Sequence, residues 1–235
     1  MTKEYDEITA SHYSAYRPSL HSEILKAFFK SNKEFELGLD IGCGTGQSSI
    51  ALASYCKKVV GIDPSIKMLE KSIHHPKVNY QLISTNTLNF DSDTFHIITF
   101  AGSLYYAKSQ SMLDEIVRVA KKNSRIIIYD FEIFLEEIFQ KLGLQSDIIQ
   151  TNFSGLEEQS IKLENEIQRS VTLDIQIADL AHLVLSSKDN YAIFASLLST
   201  YNLYSETKKK LQSVFKNEMT TLKAMTYLTS YQVFK

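Results

Sequence analysis

Asp40, Gly42, Gly44, Gly46 and Asp63 are the residues of this chain whose types and spacing can do chemistry. The first four lie in Leu37-Gly38-Leu39-Asp40-Ile41-Gly42-Cys43-Gly44-Thr45-Gly46, an apolar run that ends in an acid and alternating glycines. The fifth closes a second apolar run, Val59-Val60-Gly61-Ile62-Asp63-Pro64-Ser65. Glycines let the backbone come close to a ligand, and a carboxylate at a strand end can accept both hydroxyls of a ribose. The pairing suits a nucleotide-like ligand held at the carboxyl edge of a parallel sheet. Spacing narrows the choice. The glycines read G-x-G-x-G and position 47 is Gln, whereas a dinucleotide fingerprint places its third glycine one residue later. A pyrophosphate cradle is therefore disfavoured, and a nicotinamide-dependent oxidoreductase fails with it. A cofactor without phosphates is favoured, and S-adenosylmethionine is the candidate.

The elements that must position these residues alternate along the first half of the chain. Periodicity predicts helices over residues 22–29, 47–54, 65–73 and 112–120, and strands over 37–41, 59–62, 78–83, 95–100 and 124–130. Near-continuous apolar strands separated by helices imply a parallel sheet covered on both faces. Right-handed crossovers then give a doubly wound α/β fold with ligand outside the carboxyl ends of the strands. After Asp130 the rhythm changes. A helix is expected over 133–144, a strand over 161–171, and a helix from an N-cap at Thr172 through Ser186. Further helices are expected near 191–198, capped by Asp189, and over 205–219, before a closing strand at 226–234. The expected whole is a Rossmann-like, mostly parallel seven-stranded sheet with its last strand antiparallel. It is read as one domain, with residues 1–30 as an N-terminal lid, 31–135 as the cofactor-binding core, and 136–235 as substrate-side helices and closing strands.

Bulk properties exclude several classes. The chain has 235 residues, 44% hydrophobic, with a formal net charge of -2. That balance gives no electrostatic reason to expect nucleic acid or an anionic membrane as partner. Lys208-Lys209-Lys210 beside Glu206 reads as a solvated helix face. No apolar stretch approaches the ~20 residues of a membrane span, and the first residues lack the pattern of a secretory signal. Cys43 and Cys56 form no disulfide framework and have no metal-ligand spacing. A cytoplasmic protein with reduced thiols and no metal is expected.

Two further blocks complete the pattern: Phe95-His96-Ile97-Ile98-Thr99-Phe100-Ala101-Gly102-Ser103-Leu104-Tyr105-Tyr106, and Leu113-Asp114-Glu115-Ile116-Val117-Arg118-Val119-Ala120-Lys121. With the glycine motif, Asp63, and Tyr13-Ser14-Ala15-Tyr16-Arg17-Pro18 near the start, the chain resembles class I S-adenosylmethionine-dependent methyltransferases. Within them it is similar to the methyltransferase-11/25-like small-molecule group that includes trans-aconitate methyltransferases. The resemblance covers roughly residues 5–135. It implies that Gly42, Gly44 and Gly46 approach the methionine part and ribose, that Asp40 holds the ammonium directly or through water, and that Asp63 takes the ribose hydroxyls. It implies also that Met68, following Ser65, packs on adenine, that Ser84, Thr85 and Asn86 bond its edge, and that Ala101 to Ser103 touch the methionine portion. Tyr13 and Arg17 would close over the carboxylate side.

Simpler readings stand beside these. Asp63 can cap the helix starting near Ser65, and Met68 lies close to an apolar stripe. His12 and His21 are the histidines to test as bases, while His182 suits a helical packing role. Tyr105 and Tyr106 can line an acceptor pocket or pack. The expected activity is methyl transfer to a small-molecule acceptor by in-line displacement. The alternative, kept open by Ser84 and Gly102 where the family often carries an acid and Gln, is a non-catalytic S-adenosylmethionine-binding regulator. Acceptor, catalytic base and oligomeric state are not legible.

Overall fold

Strand β1 (Phe35–Ile41) is buried along its last four residues on both faces, as a central parallel strand must be. The computed structural model describes residues 7–16, 18–29, 34–83, 87–104, 109–144 and 155–235. Among these, β1 is joined by β2 (Cys56–Asp63), β3 (Val78–Leu82), β4 (Phe95–Ala101), β5 (Ala120–Phe134), β6 (Ile161–Gln176) and β7 (Met219–Val233). They form a seven-stranded sheet in the order β3-β2-β1-β4-β5-β7-β6. It is mostly parallel with one antiparallel strand, as expected. Pairings β1–β2, β2–β3, β1–β4 and β4–β5 are parallel, with Asp40 level with Gly61 on one side and Thr99 on the other. The chain runs outward from β1 to β3, then returns to place β4 on β1's opposite side. That reversal makes the carboxyl ends of β1 and β4 the switch point at which sheets of this kind bind ligands.

The residues divide into two compact units. One comprises Ser19–Phe131, Asn152–Arg169 and Thr226–Lys235. Its core is built from Leu39, Ile41, Phe95, Ile98, Phe100, Ile116, Ile126 and Val233. Helices α2 (His21–Phe28), α3 (Gln47–Ala53), α4 (Ile66–Leu69) and α5 (Gln110–Val119) belong to it. Helix α5 begins where the Ser109 hydroxyl accepts from the Met112 amide, and it buries Met112, Leu113, Ile116 and Val119 at helical spacing. The other unit comprises Met1–Pro18, Glu132–Thr151 and Ser170–Met225. It holds α1 (Glu7–Ala15), α6 (Glu136–Lys141), α7 (Ile177–Leu185), α8 (Lys188–Leu198) and α9 (Leu203–Val214) around Phe139, Leu180, Val184, Phe194 and Leu211.

Several boundaries differ from expectation for physical reasons. Thr172 is not an N-cap. The alternation of Val171, Leu173 and Ile175 with Thr172 and Asp174 continues β6 to Gln176. Residues 131–134 extend β5, so the helix expected over 133–144 opens only at Glu136. Helix α8 is capped by Ser187, whose hydroxyl accepts from the Asn190 amide, and not by Asp189. The helix expected over 65–73 stops at Leu69. Its apolar stripe has little to pack on, since Ile66 and Ile73 stay about half exposed, and the Ile73 amide bonds the Thr45 carbonyl instead of continuing a helix.

Candidate active site

The glycine loop leaves β1 by donating the Gly42 and Cys43 amides to the Ile62 carbonyl of β2, at 2.8 and 3.0 Å. Its glycines then do different jobs. Gly42 has φ +73°, and a Cβ there would lie 2.4 Å from the Ser103 Cβ. Ser103 in turn donates its hydroxyl to the Ile41 carbonyl, locking the end of β4 onto β1. Gly46 has φ +90°, and a Cβ would meet the Tyr80 hydroxyl at 2.0 Å. Tyr80 donates that hydroxyl to the Ile73 carbonyl at 3.0 Å. Gly44 alone is not pressed by a neighbour of this kind: the nearest atom to its missing Cβ is the Met68 Cε, at 3.3 Å. Two glycines thus make room for the protein's own side chains, and the third lies under the Met68 thioether.

Asp63 is 8% exposed at the end of β2. Its Oδ2 accepts from the Gly44 amide at 2.9 Å and its Oδ1 from the Ser65 amide at 2.8 Å. Ser65, not Asp63, caps α4, its hydroxyl accepting from the Met68 amide at 3.4 Å. Each carboxylate oxygen therefore carries one backbone N–H and keeps lone-pair capacity for another donor. The carboxylate is oriented before any ligand arrives.

Asp40 reaches inward. It is fully buried; Oδ2 accepts from the Ser48 and Ser49 hydroxyls, both at 2.6 Å, and Oδ1 from Thr99 at 2.8 Å. Burial raises its pKa, the three hydroxyls pull it back, and the charge of Asp63 raises it further. The network ties β1 to α3 and β4, directly behind the loop. Ser48 and Ser49 were not singled out from sequence; their only signal is a pair of small hydroxyl residues in the first turn after Gly46. Burial also pushes both thiols up, Cys43 with added effect from Asp40 and Asp63, and Cys56 to about 12. Neither is a reactive thiolate.

At the end of β4, Ala101 is half-buried and Gly102 is exposed with φ +67°, its amide bonding the Tyr129 carbonyl at 2.9 Å. Gly44, Asp63, Ser65 and Met68 are thus brought into one hydrogen-bonded or touching set, while Gly42 meets Ser103 and Gly46 meets Tyr80. Tyr13 is half-buried on α1, in the other unit. Arg17, Ser84, Thr85, Asn86, Tyr105 and Tyr106 lie outside the described residues. His21 packs edge-on against Tyr129 and Phe131, with ring centroids 5.7 and 5.6 Å away. His12 and His182 place their Nδ1 atoms 2.9 Å apart, both stacked on Tyr204. Among the described residues no group of three or more side chains could hold a metal ion.

Residues 39–128 match the family model described as "Methyltransferase domain". A Dictyostelium discoideum protein bearing the name methyltransferase is 28% identical over 120 residues, covering 51% of this chain and 46% of its own. The demethylmenaquinone methyltransferase of Clavibacter sepedonicus is 36% identical over 98 residues, covering 40% of each. The matched part spans about half the length of these relatives or less. A structure from Anaeromyxobacter dehalogenans, titled for a type II methyltransferase, covers 94% of this chain and 98% of its own at a TM-score of 0.62. Its 14% identity makes that a likeness of fold. Residues 39–128 of this chain are thus similar to a methyltransferase domain, and the methyl donor such a domain implies is S-adenosylmethionine.

Proposed function

We propose that this chain is an S-adenosylmethionine-dependent methyltransferase acting on a small-molecule acceptor. The observation that carries the reading is the Asp63 carboxylate, preset by the Gly44 and Ser65 amides with an accepting position left on each oxygen. Two vicinal hydroxyls match that arrangement, and hydrogen bonds to an ionised acceptor are the strong ones. Gly44, whose missing Cβ would meet only the end of the flexible Met68 side chain, and the half-buried Met68 above it suit a flat adenosyl group.

When bound, the cofactor supplies a methyl group on a sulfonium, already activated for in-line displacement. The chain's own part is to bind and orient. Asp63 would hold the ribose, Met68 the adenine face, and the backbone of Gly42, Gly44, Gly46 and Ala101 to Ser103 the chain toward the methionine end. Asp40, enclosed by three hydroxyls, would act on the ammonium through its charge and by stiffening the loop. Ser84, Thr85 and Asn86 at the adenine edge, and Tyr13 and Arg17 at the carboxylate, are assigned from the family resemblance. Positioning of this kind can supply ~7–11 kcal/mol of a transfer barrier. A general base is needed only where the acceptor must lose a proton.

The near-neutral charge and lack of a basic run along the core favour a small acceptor over nucleic acid. An acceptor bearing a carboxylate, as in aconitate-type methyltransferases, is one option, suggested by the resemblance alone. A cytoplasmic setting accords with the two buried free thiols, and among the described residues no helix is long and apolar enough to cross a membrane. Calorimetry with S-adenosylmethionine and S-adenosylhomocysteine, then a methyl-transfer assay over an acceptor panel, tests the proposal. Binding followed by turnover is expected. No binding by folded protein overturns it, and binding without turnover on any acceptor turns it into a regulator.

A further inference from the structure

Tyr129 is fully buried, and among the described residues its hydroxyl has no hydrogen-bond partner. Buried hydroxyls are normally satisfied, and an orphan is unfavourable where phenylalanine would fill the same space. The hydroxyl therefore asks for a partner that arrives. Register says where it stands. Asp40 is level with Thr99, and Thr99 with Ile127, so these residues share one face of the sheet. Tyr129, two residues along β5 and level with Ala101, rises from that same face one step nearer the carboxyl edge. Its carbonyl already holds the Gly102 amide, and the charges of Asp40 and Asp130 both act on its hydroxyl.

We propose that the Tyr129 hydroxyl is a contact for the ammonium end of the bound methyl donor. This rests on the donor reading above. Sheet order puts Asp63 on β2 and Tyr129 on β5, on either side of the β1–β4 boundary. A ligand whose ribose is on Asp63 and whose tail crosses that boundary brings its amino-acid end to the β4–β5 side. A phenolic oxygen accepts from a cation, and two carboxylates nearby favour one there. The His21 ring packs edge-on against Tyr129 from the first turn of α2, so it borders the place where the ligand would arrive.

The test is Tyr129→Phe, read by calorimetry with S-adenosylhomocysteine and with 5′-methylthioadenosine, which lacks the amino-acid end, and by thermal unfolding without ligand. Affinity for S-adenosylhomocysteine should fall on the order of tenfold or more, the scale of a hydrogen bond to a charged group. Affinity for 5′-methylthioadenosine should stay unchanged, and the ligand-free melting temperature should hold or rise. Equal loss for both ligands, or no loss for either, overturns the inference. So does a lower ligand-free melting temperature with unchanged affinity, which assigns the hydroxyl to a buried water. Failure of the wild-type protein to bind S-adenosylhomocysteine overturns the donor reading and this inference with it.

Discussion

Replacing Asp63 with alanine removes the acceptor on which the ligand reading turns. In the native arrangement each of its oxygens takes one backbone amide, from Gly44 at 2.9 Å and Ser65 at 2.8 Å, and offers one further position. A ribose bound there makes up to two hydrogen bonds to an ionised group, each worth about 1.5–3 kcal/mol. Water makes up the rest, so the net loss is that of one such bond, about 1.5–3 kcal/mol. At ~1.4 kcal/mol per factor of ten, the dissociation constant should rise roughly 10- to 150-fold. S-adenosylhomocysteine and 5′-methylthioadenosine both carry the ribose, so calorimetry should show both weakened alike. Asp63→Asn sharpens the case at nearly constant volume. Whichever oxygen becomes the amide nitrogen faces a backbone N–H, donor against donor. The loop is then loosened and the ribose loses an acceptor, so affinity should fall again. Circular dichroism must show the fold intact in both variants. An unchanged dissociation constant in a folded Asp63→Ala protein refutes the assignment of this carboxylate to the ligand.

Three other perturbations test the framework. Gly46→Ala places a Cβ 2.0 Å from the Tyr80 hydroxyl at φ +90° and should cost about 2–4 kcal/mol in a urea titration; adding Tyr80→Phe should restore only part, since the ring Cζ would still lie at 2.6 Å. Arg118 forks to Glu115 and donates to the Phe90 and Leu88 carbonyls at 2.7 and 2.8 Å, while Glu115 takes the Leu88 amide. Arg118→Lys cannot span these partners and should lower stability by about 1–2 kcal/mol, with increased amide exchange at Leu88 as the local readout. The third concerns pH. Burial lowers the His12 pKa, with the charge of His182 adding to it, and burial lowers that of His182 against the opposing charge of Asp179. The unfolded chain therefore binds more protons than the folded one below the ordinary imidazole value of 6.5. Stability from this pair should be complete above that pH and decline as pH falls through the lowered folded values. His182→Gln should flatten that decline in melting temperature, and an unaltered slope would remove the pair as its source.

Much of the sheet was legible because its strands are two-sided and apolar, and because Asp40 and Asp63 end such runs. The places of Gly44 and Asp63 at the ends of β1 and β2 followed from the same signal, whereas Met68 was singled out only through the family resemblance. The work of Gly42 and Gly46 did not, since it depends on Ser103 and Tyr80, residues 61 and 34 positions away that only the folded register brings close. Nor did the inward turn of Asp40, because one acid at a strand end looks the same whether it meets a ligand or three hydroxyls. Beyond Asp130 the misreadings came from β6 and β5. Their alternation runs longer than a typical strand, so Thr172 passed for a helix start. The opposite unit's histidine pair was invisible for a related reason: His12 and His182 are 170 positions apart.

The division of labour within the loop has a consequence for descent. A descendant that gave up its ligand would still be held to glycine at positions 42 and 46 for as long as Ser103 and Tyr80 stayed, because selection there acts through folding. Position 44 would be released, and asparagine, which tolerates its left-handed φ of +54°, could take it. A motif scan would score such a descendant as nearly intact. Residue 44 read together with Asp63, and not the glycine count, is the record of whether the loop still serves a ligand.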